Sequence, residues 1–270
     1  MKLLILAALL TMSPPLTYAS NNTDIVGTVP RLLTAIIEQN SRYQECTLGN
    51  AVSDAMRVYL NSDIAIICGG DLISNIPPGD ITLAGIKSVF LEDRTLALAD
   101  ITYAELSGIL EAGLSYITLD ESERIDSSKS VYDGFPQVSG FVLYYDAAAP
   151  PGQRVYEIRI EGNRIDLNDD VHTVTLAATA HMLEGGYGLP SVGTKTVLDQ
   201  TLSSVTARYI YDGMADYQQG DSRINPMGAN SGGLISQIPT GIIFVVALLF
   251  LSARLGRRKN RSKDDLLKFD

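Results

Sequence analysis

The sequence predicts an α+β domain, in which helices pack on a mixed sheet, followed by one C-terminal transmembrane helix. Short apolar runs such as Ile64–Cys68, which ends at two glycines, are typical of buried strands. Elsewhere, apolar residues recur at helical spacing, as in Val52, Met56 and Tyr59. A longer apolar run from Ile238 to Ala253 precedes a basic tail and is typical of a membrane span.

Residues 20–225 are expected to form one continuous domain, because no repeat or low-complexity tract interrupts them. The expected helices are 30–39, a segment starting near Gly49, 82–90, a segment opening at Thr102, and 201–214. The expected strands are 64–68, 95–99, 141–145, 156–160 and 171–177. Thr102 and Glu105 have the spacing of a capping box. Because Tyr156, Ile158 and Ile160 alternate with charged residues, that strand should be half-buried.

Residues 1–19 are typical of a secretory signal peptide. Lys2 provides a positive start, Leu3–Leu10 is apolar, and Thr17–Ala19 suits cleavage. An uncleaved membrane anchor is the alternative, although this apolar run is short for a bilayer. Asn21 begins a sequon for N-glycosylation. We therefore expect the secretory pathway, with the domain extracellular or lumenal.

The C-terminal part of the chain predicts a single membrane crossing. Residues 226–237 should form a flexible tether, 238–255 a transmembrane helix, and 256–270 a basic cytoplasmic tail that acts as a stop-transfer signal. A buried core helix is one alternative, but the apolar run shows no polar face. A lipid anchor attached within 228–232 is another, but such signals end in their apolar segment.

The charge of the domain excludes one class of partner, and its two cysteines have two possible states. The net charge is −10 although the C-terminal tail is basic, so the domain itself is strongly acidic and should not bind nucleic acid. The two cysteines, Cys46 and Cys68, would lie in an oxidising compartment. They could form a disulfide or remain buried thiols, and the sequence leaves both open.

No catalytic or metal-binding residues are identified from the sequence, and no cofactor is expected. The chain has two histidines, His172 and His181, and neither lies in a cluster of metal-ligating residues. The segment Gly188–Thr196 approaches a phosphate-binding loop, but its lysine is one place late and Pro190 removes a donor. We interpret it as a plain turn.

Four segments together resemble the C-terminal domain of the 5′-nucleotidase and UDP-sugar hydrolase family. Glu45-Cys-Thr-Leu-Gly-Asn-Ala-Val-Ser-Asp-Ala-Met56 resembles its Glu-x-x-Leu-Gly-Asn-x-x-x-Asp-Ala-Met segment, and Cys68-Gly-Gly-Asp-Leu-Ile resembles its Asn-Gly-Gly-Gly-Ile-Arg loop. Residues 135–155 follow its central hairpin. Glu184-Gly-Gly-Tyr-Gly-Leu189 resembles its Asn-Gly-Gly-Asp-Gly-Phe/Tyr loop. The resemblance covers about residues 30–225.

The resemblance implies a domain that binds the base and sugar of a nucleotide. In the family, a separate metallophosphatase domain holds two metal ions and performs the hydrolysis. The resemblance therefore implies that this chain does not hydrolyse nucleotides by itself. A metallophosphatase or another protein is an expected partner, together with the membrane.

The ligand-binding positions that the resemblance implies are mostly altered. Only Arg42 matches a family ligand contact. Cys68 and Ile73 stand where the Asn-Gly-Gly-Gly-Ile-Arg loop has its asparagine and arginine. Glu92 and Leu189 stand where the family has the two aromatic residues that sandwich the base. The site should therefore be a degenerate one, and binding of a nucleotide or nucleoside stays open.

Three hypotheses follow. The chain is a membrane-anchored pseudoenzyme that keeps the scaffold and binds another ligand or a protein. Alternatively, it is a subunit or fragment of an active nucleotidase whose metal-binding domain comes from another chain or exon. A third hypothesis is that the domain orders a membrane assembly and binds no small ligand.

Overall fold

The computed structural model describes residues 22–36, 40–218 and 221–229. The predicted signal peptide, Asn21, the transmembrane segment 238–255 and the basic tail lie outside these residues and stay predictions. Among the described residues, no helix is both long and apolar enough to cross a bilayer.

The described chain alternates strands with short helices. The helices are α1 (Thr47–Leu60), α2 (Leu83–Lys87), α3 (Tyr103–Gly113), α4 (Ala180–Leu183) and α5 (Leu202–Tyr211). The strands are β1 (Ile25–Val29), β2 (Ile64–Cys68), β3 (Gly79–Thr82), β4 (Thr95–Thr102), β5 (Pro136–Ser139), β6 (Phe141–Asp146), β7 (Val155–Ile160), β8 (Asn163–Arg164), β9 (Thr173–Thr179), β10 (Thr196–Thr201) and β11 (Ile224–Met227).

The strands form three sheets, and two of the sheets are mixed. The central sheet has the order β10-β4-β9-β2-β5, in which β2 and β9 run parallel and the other neighbours antiparallel. A second sheet has the order β11-β6-β7-β8, with β11 parallel to β6. Strands β1 and β3 pair with each other. The α+β class with mixed sheets is thus confirmed.

The central sheet separates two apolar cores. Along β2, Ile64, Ile66 and Cys68 belong to one core, and Ala65 and Ile67 belong to the other. This division follows from the two-residue period of a strand. The first core includes α3 and the β6–β7 sheet, and the second includes α1 and α5. Both faces of β2 are buried, which explains its uninterrupted apolar sequence.

The two cysteines lie in different cores, so the disulfide alternative is not what the structure shows. Both thiols are free and buried. Cys46 caps α1 by accepting a hydrogen bond from Gly49 N at 3.3 Å, whereas Cys68 points to the opposite face of the central sheet. Burial raises the pKa of Cys46 to about 12 and raises that of Cys68 as well. Neither thiol is therefore a reactive nucleophile near neutral pH.

Threonines at strand ends start four of the helices. Thr82, Thr102, Thr179 and Thr201 each cap the helix that follows, as the side-chain oxygen accepts a first-turn N–H. At Thr102 both bonds of the predicted capping box are present, since Glu105 accepts the N–H of Thr102 at 2.8 Å. These caps give sharp strand-to-helix junctions with no linker.

The predicted helix over 30–39 is wrong for the part that is described. Residues 31–36 are extended or bent, and Leu33 forms a β-bridge with Ile76 instead. The side chain of Asn75 accepts the N–H groups of Ala35 and Ile36. Long-range pairing has overridden the local signal of Pro30.

The predicted burial along β7 is also partly wrong. Tyr156 is 51% exposed, and Glu157 is buried. The carboxylate of Glu157 tolerates burial because it pairs with Arg159 and lies 3.7 Å from Arg164. The Tyr156 ring lies outside, where Arg164 covers it at 5.8 Å. The expected alternation of buried apolar and exposed charged residues therefore fails at Tyr156 and Glu157, because the charge of Glu157 is paired.

The predicted tether begins later than residue 226, because Pro226 and Met227 belong to β11. A partly buried polar cluster holds this C-terminal strand. Glu45 accepts the N–H groups of Arg223 and Ile224, at 2.8 and 3.0 Å. Asp54 receives both terminal nitrogens of Arg223, at 2.7 and 3.0 Å. Together with Asn50, which bonds Glu45, these residues form the clasp.

The clasp explains the spacing of its acids and asparagine in the first family-like segment. Glu45, Asn50 and Asp54 all face the C-terminal strand, so this segment builds the fold rather than a ligand site. Burial favours the neutral acid, yet the hydrogen bonds and charge of Arg223 hold the pKa of Asp54 below its ordinary value. The ion pair is therefore intact at neutral pH.

Replacing Asp54 with alanine should destabilise the domain by about 3–5 kcal/mol, because it leaves the half-buried Arg223 with only the more distant Asp221, 3.5 Å away, as a counter-charge. Urea denaturation followed by circular dichroism measures this loss. The matched control is Asp216→Ala, which breaks the exposed pair with Arg31 and should change stability by about 1 kcal/mol or less. Equal losses for the two variants would contradict the role of the clasp.

Candidate functional site

The candidate site starts at a tight turn, Gly69–Asp71, that follows β2. Because two of its residues are glycines, this turn can lie close to two other segments of the same chain. A Cβ on Gly69 would lie 1.9 Å from the carbonyl oxygen of Ser41, and one on Gly70 would lie 2.5 Å from Cβ of Asp133. Gly70 N also donates to Asp133 O at 2.8 Å. The glycines therefore fix the direction in which the next side chain, Asp71, points.

Asp71 is the buried acid of the site. Its side chain is 0% exposed. Oδ1 accepts hydrogen bonds from Arg94 Nε at 2.8 Å and from the Tyr187 hydroxyl at 2.7 Å. Oδ2 has no partner among the described residues. Burial raises the pKa of Asp71 above its ordinary value, although Tyr187 and Arg94 both act to lower it.

Arg94 is the cation of the site, and two acids share it. Besides Asp71, Glu92 Oε2 lies 3.0 Å from a terminal nitrogen of Arg94. The Arg94 side chain is 14% exposed, whereas that of Glu92 is 65% exposed. Burial opposes the charge of Arg94, but the bond to Asp71 and the negative charge of that carboxylate raise its pKa. The guanidinium stays charged and is already paired.

Tyr187 closes the site from the opposite loop. Its hydroxyl bonds Asp71, and the Arg94 guanidinium carbon lies 5.8 Å from its ring centroid. His181 meets the ring edge-on at 5.0 Å. The Tyr132 hydroxyl donates to the carbonyl oxygen of Tyr187 at 2.5 Å. We call Asp71, Arg94 and Tyr187 the internal triad.

A second polar and aromatic patch adjoins the internal triad through Tyr132. The Tyr132 ring stacks on Tyr116 with centroids 4.5 Å apart, and Tyr116 is exposed. Asp133, the next residue, accepts a hydrogen bond from Arg42 Nε. Arg42 is therefore paired within the protein, as Arg94 is.

The residues that the resemblance implied as ligand contacts differ in their exposure and in their partners. Arg42 is partly buried and pairs with Asp133, whereas Glu92 is exposed and pairs with Arg94. Cys68 and Leu189 are both buried in the same apolar core. Ile73 is 38% exposed, and its N–H bonds Val89 O.

Sequence reasoning missed the three residues that define the site. Asp71 stands where the family loop has its third glycine, and Tyr187 stands where the other loop has its aspartate. Both departures were visible in the sequence, yet only the fold shows that the two side chains bond each other. Nothing in the sequence indicated Arg94, because it lies in none of the four family-like segments.

The two histidines, and the lysine of the segment that approaches a phosphate-binding loop, contact other residues of the domain. His172 bonds Asp169 at 2.6 Å and stacks on Tyr103, and His181 contacts Tyr187. Lys195 lies 3.9 Å from Glu184. Among the described residues, no group of three or more His, Cys, Asp and Glu side chains is arranged to hold a metal ion.

Comparison with protein families gives one match, in which residues 25–194 fit the profile of the 5′-nucleotidase C-terminal domain. Similar curated proteins include the trifunctional nucleotide phosphoesterase YfkN of Bacillus subtilis, 31% identical over 56% of this chain and 10% of its own length. UshA of Yersinia enterocolitica is 27% identical over 57% of this chain and 24% of its length. An Anopheles gambiae apyrase is 25% identical over 70% of this chain and 32% of its length.

Solved structures share the fold. A Thermus thermophilus 5′-nucleotidase precursor superposes with a TM-score of 0.65 and 22% identity, covering 77% of this chain and 40% of its own. The NAD nucleotidase of Haemophilus influenzae gives a TM-score of 0.60 at 13% identity, covering 76% and 39%. The chain spans less than half the length of each of these relatives.

Replacing Arg94 with methionine should destabilise the domain at pH 7 by about 3–5 kcal/mol, because the buried Asp71 carboxylate loses its counter-ion. Without Arg94, the pKa of Asp71 rises further above 3.8. A raised acid pKa means that stability is retained at low pH and lost as the pH rises through that pKa. Urea denaturation should therefore show a smaller loss at pH 4 than at pH 7.

The double variant Asp71→Asn/Arg94→Met removes both charges and is the control. It should recover most of the stability at pH 7. A loss in Arg94→Met that is the same at both pH values, or that the second substitution does not recover, would contradict the pairing described here.

Proposed function

The chain belongs to the family of 5′-nucleotidase C-terminal domains, and from this premise we propose that it is a membrane-anchored member that does not hydrolyse phosphate esters by itself. The family is hydrolytic, and its C-terminal domain is the substrate-binding one. In this proposal the domain keeps that scaffold, while its nucleotide site is degenerate.

The internal triad is the observation that carries the proposal. Arg94 donates to Asp71, and Tyr187 donates to the same carboxylate oxygen from the opposite loop. The two loops that correspond to the family's ligand loops are thus bonded to each other. A ligand that used Arg94 would have to break a pair whose acid is fully buried.

The surroundings of the triad also disfavour a nucleotide. Glu92 occupies one aromatic position, and its exposed carboxylate would repel a phosphate. Leu189 occupies the other, and it is buried in the core. Stacking of a base on an aromatic side chain contributes about 1–3 kcal/mol. Losing two such faces removes roughly 2–6 kcal/mol, or about 1.5 to 4 decades of affinity.

Hydrolysis by a metal pair needs several histidine and carboxylate ligands held close together. The described residues provide no such group. The family resemblance assigns those ligands to a separate metallophosphatase domain. We therefore propose that any hydrolysis in which this domain takes part uses metals held by another domain or chain.

The length of the relatives favours a second candidate function. The curated relatives carry two thirds or more of their length outside the matched part. The alternative proposal is a subunit or fragment of a working nucleotidase, in which another chain or exon supplies the metal domain.

The sequence supports a membrane-anchored, extracellular or lumenal location. A positively charged start and an apolar run precede the domain, and an apolar segment at 238–255 is followed by Arg257, Arg258 and Lys259. In the proposed topology the domain lies outside the cytoplasm and the tail lies inside.

The purified full-length chain, kept in mild detergent, should release no phosphate from AMP with Mg²⁺, Mn²⁺ or Zn²⁺. A colorimetric phosphate assay measures this against a mock preparation from cells without the protein. Turnover that scales with the pure chain would overturn the proposal. Turnover that requires a co-purified metallophosphatase would favour the subunit alternative.

The full-length chain should stay in the membrane pellet after alkaline carbonate extraction. Val245→Lys/Leu248→Lys should release it, because each central lysine opposes insertion by about 2.5–3.5 kcal/mol. Asp264→Lys, in the predicted tail, is the control and should remain in the pellet. A soluble wild-type chain would reject the predicted span.

A further inference from the structure

The turn between β6 and β7 carries no charged side chain. Residues 147–153, which we call the hairpin tip, have the sequence Ala-Ala-Ala-Pro-Pro-Gly-Gln, and five of the seven are exposed. At the opposite end of the same sheet, the β7–β8 turn exposes Glu161 and Arg164. The hairpin tip is therefore an uncharged and mainly apolar surface on an acidic domain.

The hairpin tip is held in one conformation. Gln153 N donates to Pro150 O at 3.1 Å, and Gly152 lies between these residues with φ 84°. A proline followed by a glycine with positive φ is typical of a type II turn. From the base of the tip, the buried Arg154 donates from Nε to Ala149 O at 3.0 Å. A surface that is already ordered loses little conformational entropy when it contacts a partner.

Backbone donors of the hairpin tip already have acceptors within the domain. Ala147 N donates to Met227 O at 3.0 Å. Asp146 accepts two more donors, since Ala148 N bonds its Oδ1 at 2.9 Å and Ala149 N bonds its carbonyl oxygen at 3.3 Å. The two prolines have no N–H to donate. Because an unpaired donor is costly to remove from water, these bonds make it easier for the tip to leave water.

The chain leaves the domain beside the hairpin tip. Strand β11 runs parallel to β6, so both strands point toward the tip, and Met227 pairs with Asp146. A Cβ on Gly228 would lie 3.7 Å from Cβ of Ala148. Ala229 packs against the first apolar core. The exit point of the chain and the uncharged tip therefore lie at the same end of the domain.

The length of chain between this exit point and the predicted span limits the distance from the domain to the bilayer. Residues 230–237 number eight. An extended chain covers at most about 3.6 Å per residue, so these residues reach roughly 29 Å at most, whatever their conformation. A compact domain of about 200 residues is roughly 40 Å across. The tether is shorter than such a domain is wide, which favours contact between the exit end and the bilayer.

We propose that the hairpin tip contacts the lipid headgroups of the membrane in which the chain is anchored. The inference rests on the proposed membrane anchor and adds the surface through which the domain meets the bilayer. Bringing acidic side chains to an anionic lipid surface costs free energy, and an uncharged tip avoids this cost. The headgroup layer is the depth that fits, because irregular backbone is not tolerated in contact with the hydrocarbon.

The chain has no tryptophan, so one introduced tryptophan reports on one site. Gln153→Trp places it on the hairpin tip. Asn163→Trp, the matched control, places it at an exposed position at the opposite end of the sheet. The full-length variants are reconstituted into phosphatidylcholine vesicles, with or without a nitroxide quencher on the headgroups. Tryptophan favours the membrane interface wherever it stands, and both variants carry this bias equally.

The nitroxide should lower the emission of Gln153→Trp about twofold or more and that of Asn163→Trp by about a tenth or less, because strand geometry places the two ends of β6 about 17 Å apart. Adding Pro150→Glu to Gln153→Trp should restore most of the emission, because a carboxylate opposes entry into the bilayer surface. Equal quenching of the two tryptophans, or quenching that Pro150→Glu leaves unchanged, would overturn the proposal. So would a lack of quenching at residue 153, the result if the tip meets a protein or only water.

Ala148→Trp, on the other arm of the hairpin tip, repeats the measurement if Gln153→Trp does not fold. Flotation of each variant with its vesicles in a density gradient is measured first. A chain that does not float would reject the predicted span, and this inference with it. A chain that floats but shows no quenching at the tip would overturn this inference alone. The anchor and the proposed lack of hydrolysis would then still stand.

Discussion

The buried carboxylate of Asp71 is the constraint on which the site depends. An acid that is fully buried must be paired, and the fold supplies two partners from distant parts of the chain. Arg94 directly precedes β4, and Tyr187 comes from the loop after α4. Because both residues bond the same carboxylate, this one group orients both loops. It also explains why a tyrosine is held in a left-handed conformation.

The rest of the domain provides a rigid frame for this arrangement. Strand β2 of the central sheet is buried on both faces, and threonine caps join strands of this sheet directly to helices. The clasp of Glu45, Asn50 and Asp54 fixes β11 against the body of the domain. Two of the family-like segments thus have different tasks, since one builds the frame and the other carries the site.

Much of the frame could be predicted from the sequence, because its signals are local. The apolar run of β2 and the capping box at Thr102 were identified correctly, and α1 starts at Thr47, close to the expected Gly49. The failures have long-range causes. Within residues 31–36, Leu33 pairs with Ile76, which lies far along the sequence. Glu157 is buried because arginines on the same sheet compensate its charge. The site was predicted least well, since Asp71, Arg94 and Tyr187 lie far apart in sequence and only their contact gives them meaning.

In the proposed function, side chains of the protein itself satisfy the groups that would otherwise contact a nucleotide. Titration calorimetry of the full-length chain with adenosine and AMP, at neutral pH and without metals, is the test. No binding heat is expected up to millimolar ligand for either compound. Saturable binding of AMP with a micromolar dissociation constant would contradict it, because a ligand would then reach a site that the internal triad was thought to close.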